Sequence, residues 1–246
     1  MVSVGVGAVF AITLATAPAT PASIVSETAG AASCPSDGVI THDGAITKAL
    51  AAPILDALYE CPSPILSIAS EGGDVEAAIA IAEALEAADG VLIVRDRCLS
   101  SCANYIFLGA SERRLDGPVV LGFHGFVSDL RPPQAWFAGL LCRLRLSCAA
   151  AEQRAAVRAL QGREATFFDR LEIDVSKLAK VVKTSLERAR AEIGEPSARV
   201  VVSPASDAWA ECFGPLNTDE GGELRLGRVE TPSGAVHVVE TRGALC

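Results

Sequence analysis

The sequence predicts an α/β domain with a mostly parallel sheet, followed by a helical region and a terminal β-hairpin. Short apolar runs without strict polar alternation, which are typical of strands buried on both faces, support the parallel sheet. Each run is followed by turn residues and then by a helical pattern, and this order repeats along the chain. With 246 residues, the chain is long enough to bury a full hydrophobic core.

The first half of the domain is expected to consist of strand–turn–helix units. Buried strands are expected at 38–41, 65–69, 90–94 and 119–123. Helices are expected at 45–59, 75–87 and 101–108. Asp74 follows a sharp glycine turn, and its carboxylate is the expected N-cap of the second helix. Since each helix returns the chain to the starting edge of the sheet, the strands should pair in parallel.

The second half changes character after Pro132 and Pro133. Residues 134–194 are rich in Arg, Glu, Ala and Leu, and their charges are expected on solvated helix faces. The remaining expected elements are a strand at 199–202, a helix at 206–213 and a hairpin of 223–230 with 235–240. The sequence contains no linker, long repeat or heptad run. We therefore expect residues 33–246 to form one domain.

The amino terminus resembles a secretory leader. Residues 1–26 carry no charge, residues 2–17 are apolar, and small-residue exit sites follow at 15–17 and 29–31. A positive n-region is missing, because the first basic residue is Lys48. An uncleaved anchor or an alanine-rich tail is the alternative, although the run is short and broken by glycine for a spanning helix. We expect a leader at 1–32 and a periplasmic or secreted protein, in contact with a membrane only through an uncleaved leader.

Composition excludes several classes of protein. The chain has 30 acidic against 21 basic residues and a net charge of −9, which argues against binding to a nucleic-acid backbone. The hydrophobic fraction of 50% argues against intrinsic disorder. The histidines are scattered at positions 42, 124 and 237, so no metal site is expected, and no motif calls for a cofactor.

The eight cysteines favour disulfides over thiols or metal if the chain is exported. Their pairing cannot be deduced from the sequence. Cys98 and Cys102 bracket Ser100 and Ser101. This spacing lacks the second Cys/His pair of a zinc site, so a disulfide or two unpaired thiols are both better explanations than a pair of metal ligands.

Three chemical features follow successive predicted strands. They are Gly72–Gly73, Ser100–Ser101 and His124. Ligands bind at the carboxyl edge of an open α/β sheet, so these features should meet there. A diglycine can present backbone N–H groups to an oxyanion. A serine at a helix start has an exposed hydroxyl, and a histidine can serve as its general base.

These residues resemble the Clp protease proteolytic subunit superfamily, and especially its exported bacterial "periplasmic Clp-like" members. The likeness rests on the order and spacing of four motifs. They are Ser-Glu-Gly-Gly-Asp-Val at 70–75, Cys-Leu-Ser-Ser-Cys at 98–102, Ile-Phe-Leu-Gly at 106–109 and Leu-Gly-Phe-His at 121–124. It covers about residues 38–125, with a weaker match at 202–216.

The resemblance implies the Clp/crotonase spiral of ββα units and a serine-peptidase site acting on a peptide or protein substrate. Ser100 would be the nucleophile and His124 the base, while the N–H groups of Gly73 and Ser101 would form the oxyanion hole. Ring-shaped homo-oligomers are a habit of the family, and the sequence offers no independent sign of one.

The sequence departs from the family at the third catalytic residue. The family's aspartate would fall near Arg199 and Val200, where no acid stands. The nearest acids are Glu195 and Asp207, while Asp169 and Asp174 lie in the helical region. A Ser–His pair without an orienting carboxylate keeps some activity but loses orders of magnitude.

Several other interpretations stay open. Ser100 could be an N-cap, and His124 could be a structural histidine. A Ser–Lys pair through Lys177, Lys180 or Lys183 is a further alternative. At the level of function, the alternatives to an exported serine hydrolase are an inactive Clp-like fold that binds peptides or proteins and, less favoured, a crotonase-like acyl-CoA enzyme.

Overall fold

A computed structural model describes residues 34–131, 143, 148–195, 198–203 and 222–241. The strands in this part are β1 (Val39–Asp43), β2 (Ile65–Ser70), β3 (Val91–Leu99), β4 (Glu112–Gly122), β5 (Val200–Ser203), β6 (Glu223–Leu224), β7 (Gly227–Thr231) and β8 (Gly234–Glu240). The helices are α1 (Lys48–Glu60), α2 (Val75–Ala87), a π-helix (Cys102–Phe107), a 3₁₀ turn (Val127–Asp129), α3 (Ala149–Arg170) and α4 (Val175–Ile193).

The main sheet has five parallel strands in the order β1-β2-β3-β4-β6. Its first four strands lie in chain order, because α1, α2 and the π-helix each return the chain to the same edge. The carboxyl ends of β2, β3 and β4 therefore lie side by side. Fully buried Leu66, Leu92 and Leu121 come from these three strands and form part of the core.

Side-chain caps fix where α1, α2 and α4 begin. The Thr47 hydroxyl accepts a hydrogen bond from the Leu50 N–H in α1, and Asp74 accepts one from Ala77 in α2. Asp174 does the same for Lys177 in α4, and Gly194 ends that helix in the left-handed conformation. The alanine-rich α2 is buried along most of its length and packs against α1 and the π-helix.

An aromatic cluster attaches α3 to the sheet domain. Phe167 and Phe168 of α3 are fully buried and contact the ring of Tyr105, which lies in the π-helix. Phe126 packs edge-on against Phe168 with ring centroids 5.8 Å apart. These rings bury large apolar surfaces, so α3 holds both the π-helix and the chain that follows β4.

The second sheet has the order β5-β8-β7. β7 and β8 form an antiparallel hairpin, and β5 pairs with β8 in parallel. Phe123, just after β4, exchanges two backbone hydrogen bonds with Val202 of β5, at 2.8 and 2.9 Å. This bridge places β5 beside the end of β4.

The α/β class, the parallel sheet and the terminal hairpin are confirmed. The helix at 75–87 has the predicted bounds, whereas the strand predicted at 119–123 begins much earlier, at Glu112. Residues 223–224 do not belong to the hairpin but pair with β4. After α4 the described part of the chain is mostly strand. The predicted leader at 1–32 and the helix at 206–213 lie outside the described residues.

Disulfides cross-link the described part of the chain. Cys34 pairs with Cys61, and Cys98 pairs with Cys102, which resolves the alternatives left open by the sequence for the second pair. No free thiol occurs among the cysteines that the structure describes. The disulfides indicate an oxidising, extracytoplasmic compartment. Within the described ranges, no helix is both long and apolar enough to cross a lipid bilayer.

Candidate active site

Ser100 lies in a strained turn between β3 and the π-helix. Its φ of 57° is in the left-handed region, which residues other than glycine rarely adopt. The turn is held from both sides, because the Ser100 N–H donates to the Gly122 carbonyl at 2.9 Å and the Ser100 carbonyl accepts from the Asn104 N–H at 2.7 Å. The disulfide between Cys98 and Cys102 spans the same turn. A sharp strand-to-helix turn of this kind projects a serine hydroxyl from the edge of the sheet.

The Ser100 hydroxyl does not cap the helix. No hydrogen bond to or from its Oγ is formed within the described part of the chain, so the N-cap interpretation of Ser100 is wrong. The neighbouring Ser101 has a different role: it is buried, and its Oγ accepts a hydrogen bond from the Gly73 N–H at 2.7 Å. The N–H that the sequence predicts as an oxyanion donor is therefore bonded to Ser101 in this state.

The diglycine turn fits closely against the Ser100 turn. A Cβ on Gly72 would lie 2.6 Å from the Leu99 carbonyl oxygen and 2.7 Å from the Ser100 Cβ. A Cβ on Gly73 would lie 2.1 Å from the carbonyl oxygen of Ile46. Both glycines also have positive φ values. Only glycine can bring the backbone after β2 so close to the end of β3.

His124 follows β4, and its backbone is fixed by Asn104. The buried Asn104 Nδ2 donates to the Gly125 carbonyl at 2.7 Å and, at 3.5 Å, to that of His124. The Asn104 Oδ1 is buried and has no hydrogen-bond partner in the described part of the chain. Because Asn104 lies in the π-helix that follows Ser100, one side chain links the two candidate catalytic segments.

Glu164 of α3 fixes the chain that follows His124. Its carboxylate accepts hydrogen bonds from the N–H groups of Val127 and Ser128 and from the Tyr105 hydroxyl, at 2.9, 2.6 and 2.6 Å. Glu164 is 1% exposed, so the expectation that charges in 134–194 lie on solvated faces is wrong at this position. Burial, together with the Glu164 charge, raises the pKa of Tyr105 and keeps it a hydrogen-bond donor.

Ser100 and His124 line one cleft of about 440 Å³. Besides Leu99 and Gly125, the lining comes from the turn after β2, from α4 and from the start of β5: Glu71, Leu186, Arg190, Ala198, Arg199, Val200 and Val201. No hydrogen bond joins Ser100 to the His124 ring among the described residues. Gly73 and Ser101 lie outside this lining, although Ser101 is adjacent to Ser100.

The electrostatic environment of His124 is cationic. His124 is exposed at the surface, but partial desolvation of its ring lowers its pKa first, and the positive charges of Arg199 and Arg190 lower it further. No carboxylate contributes to this shift, although Glu71 lines the same cleft. Arg199 occupies the place where the resemblance implies the third catalytic residue. His124 is therefore neutral near pH 7, which suits a proton acceptor, and no carboxylate of the described residues contacts its ring.

Of the other acids and lysines considered from the sequence, those that the structure describes do not line the cleft. Glu195 and Asp169 are exposed, and Asp174 is the N-cap of α4. Asp207 lies outside the described residues. The lysines on α4 are exposed and absent from the cleft lining: Lys177, Lys180 and Lys183. The cleft thus gives no support to a Ser–Lys pair.

Glu71 is the cleft acid that the sequence analysis did not single out. Its carboxylate accepts hydrogen bonds from the N–H and the hydroxyl of Ser233, in the turn between β7 and β8, and pairs with Arg199 at 3.4 Å. Arg97 approaches it from β3 at 3.9 Å. Its place inside the Ser-Glu-Gly-Gly motif is the only sequence feature that could have drawn attention to it.

The described residues contain no group of three or more side chains that could hold a metal ion. No protein-family model matches the chain, and a search of curated proteins finds no significant relative. The geometry of the cleft and the residues around it therefore carry the functional argument.

Proposed function

We propose that the protein is an exported serine hydrolase that cleaves peptides, periplasmic or secreted, with Ser100 as nucleophile and His124 as general base. The observation that carries the proposal is the Ser100 turn. Ser100 has a left-handed backbone conformation, and its hydroxyl forms no hydrogen bond with any described residue. It lines a cleft that also contains the neutral His124. Strain of this kind costs about 1–3 kcal/mol and persists where the surrounding structure enforces it, often at functional sites.

In the proposed reaction, the Ser100 Oγ attacks the peptide carbonyl while His124 accepts its proton. The tetrahedral oxyanion is stabilised by the N–H groups of Ser101, at the first turn of the helix, and of Gly73. The Gly73 N–H can stabilise the oxyanion once its hydrogen bond to the Ser101 hydroxyl is replaced by a hydrogen bond to the substrate oxygen. His124 then returns the proton to the leaving amine, and water hydrolyses the Ser100 ester in a second cycle of the same transfers.

Backbone anchoring takes the place of an orienting acid in this mechanism, because the described residues supply none beside His124. In a full triad the carboxylate orients the histidine and stabilises its charged form. Here Asn104 and Glu164 hold the segment that carries His124, while Arg199 and Arg190 oppose the charged ring. Because loss of the third residue lowers kcat about 10⁴-fold in a triad enzyme, we expect a slow hydrolase.

The fold proposed for this activity is the Clp/crotonase spiral. Its support is the sequence resemblance together with the parallel β1-β2-β3-β4 order, in which each unit lies beside the preceding one. Diglycine, serine and histidine then fall after β2, β3 and β4, in the order that the resemblance implies.

A fluorophosphonate probe tests the function on the full-length oxidised chain. We expect covalent labelling of the wild-type protein and its loss in Ser100→Ala, with kcat/KM for a fluorogenic peptide reduced on the order of 10²-fold, because a site without the third residue has less activity to lose. Ser111→Ala, at an exposed serine just before β4, is the matched control and should be labelled normally. Labelling that survives in Ser100→Ala, or no labelling of a folded wild-type protein, would overturn the proposal.

The second candidate is an inactive Clp-like protein that binds peptides in the same cleft. The observation in its favour is the cationic environment of His124, which disfavours the charged ring formed during catalysis. The fluorophosphonate experiment distinguishes the two candidates. A binding protein would retain peptides in the cleft, but its Ser100 would not be labelled.

A further inference from the structure

Among the described residues that line the cleft, one cationic side chain has no partner. The described lining residues that carry a formal charge are Glu71, Arg190 and Arg199. Glu71 and Arg199 neutralise each other at 3.4 Å. Arg190, which is exposed on α4, forms no hydrogen bond or ion pair through its side chain with any described residue. The described lining therefore carries a net positive charge.

This positive charge stands out against an acidic chain. The protein has a formal net charge of −9, so its many carboxylates could have neutralised a surface arginine. A cleft with one sign of charge concentrates ligands of the opposite sign. The planar guanidinium fork also matches a carboxylate in two parallel hydrogen bonds, which a lysine cannot do.

Arg190 acts within reach of the candidate chemistry. Its charge is felt at the His124 ring, which it helps to keep neutral, and the same cleft holds Ser100. A group bound to Arg190 therefore lies close to a peptide bond that is positioned for attack by Ser100. The apolar side chains of Leu186 and Val201 supply the rest of the wall.

We propose that Arg190 is a specificity-determining residue that binds a carboxylate of the substrate, so that the substrates are acidic peptides. This inference rests on the proposed hydrolase function. The carboxylate can come from an Asp or Glu side chain beside the cleaved bond or from the carboxyl terminus of a short peptide. Binding of either one also neutralises Arg190 next to His124, which makes the ring a stronger proton acceptor once substrate is present.

Matched peptides test this specificity. One peptide carries Glu beside the cleaved bond, a second carries Gln in its place, and each is made with a free and an amidated carboxyl terminus. We expect wild-type protein to favour a carboxylate-bearing peptide about tenfold in kcat/KM, and Arg190→Gln to remove the preference mainly through KM. Comparing Glu with Gln peptides tests a side-chain carboxylate, and comparing free with amidated peptides tests the terminal carboxylate. Arg188→Gln is the control, because Arg188 lies on the same helix but lines a different surface pocket.

Binding to the Ser100→Ala protein separates this inference from the function on which it rests. Calorimetry with the same uncleaved peptides needs no catalysis, and the acidic peptide should bind about tenfold more tightly than the Gln peptide, with the difference lost in Ser100→Ala/Arg190→Gln. Equal binding of both peptides would overturn the carboxylate site even if Ser100 is labelled. Selective binding without labelling at Ser100 would support the site and refute the hydrolase.

Discussion

The two walls of the cleft are built differently. The sheet wall, formed by the turns after β2 and β3, has a buried hydrogen bond from the Gly72 N–H to the Ser70 hydroxyl, close glycine contacts and a disulfide across the serine turn. The outer wall, formed by α4 and the start of β5, presents exposed arginines and apolar side chains. Rigid, buried elements hold the group proposed to react, whereas the exposed wall offers charges that can adapt to a ligand. In the proposed function, the sheet wall therefore positions the reacting serine, and the outer wall recognises the substrate.

The largest expected effect comes from adding a methyl group to the sheet wall. Gly72→Ala places a Cβ 2.6 Å from the Leu99 carbonyl at a φ of 89°, so the serine turn must move. We expect a loss of about 3 kcal/mol or more in unfolding free energy, measured by urea titration. Gly117→Ala is the control, because its φ is also positive but nothing lies within 4 Å of its Cβ. That variant should lose only about 1 kcal/mol, and an equal loss in both would show that the tight contact is unimportant.

The Cys34–Cys61 and Cys98–Cys102 disulfides should differ in what their removal costs: the first mainly stabilises the fold, and the second mainly supports activity. Removing Cys34–Cys61, which closes a separation of 27 residues, should cost about 3.5 kcal/mol by loop entropy and leave hydrolysis unchanged. Removing Cys98–Cys102, with a separation of 4, should cost only about 2 kcal/mol. It should nevertheless lower kcat about tenfold or more, because the serine turn loses a tether and small misplacements of catalytic groups reduce rates.

Thermal melts and steady-state rates of the two Cys→Ala double variants measure this contrast. If the Cys34/Cys61 variant loses as much kcat as the Cys98/Cys102 variant, the second disulfide has no special role in positioning Ser100.

The smallest effect concerns the outer wall. Arg199 lowers the pKa of His124, so Arg199→Gln should raise that pKa and move the acid limb of the kcat/KM profile toward higher pH by less than about one unit. The sign follows because only the neutral ring accepts a proton, and activity therefore rises as pH passes upward through the His124 pKa. Arg228→Gln, on the exposed hairpin, should leave the profile unchanged. A shift toward lower pH would contradict the assigned electrostatics.

The sequence predicted those parts of the site that depend on local order. Asp74 and the helix at 75–87 follow from capping and apolar spacing, and Ser100 and His124 share an edge because parallel strands end together. The strand length of β4 was missed, because the charged residues before Val119 hide a strand that already pairs with β3 from Glu112 to Asp116, before a shift in register.

The remaining parts of the site depend on contacts between distant segments. Glu164 resembles a solvated helix charge in the sequence, yet its carboxylate is buried by the segment that follows His124. Arg190 and Glu71 enter the cleft only because α4 and the β7–β8 turn fold against the sheet. A local sequence pattern suggests that such a charge is solvated, but contacts with distant segments decide where the side chain lies.

The hydrogen bonds between Glu71 and Ser233 have a consequence for the order of events during synthesis. The two residues are 162 positions apart, and Ser233 belongs to the last hairpin of the described chain. Contacts between such distant positions form late, because the intervening chain must first be made and brought together. A nascent chain can build the parallel sheet and its serine turn early, but the Glu71 carboxylate is held in the cleft by Ser233 only after the β7–β8 hairpin has been made.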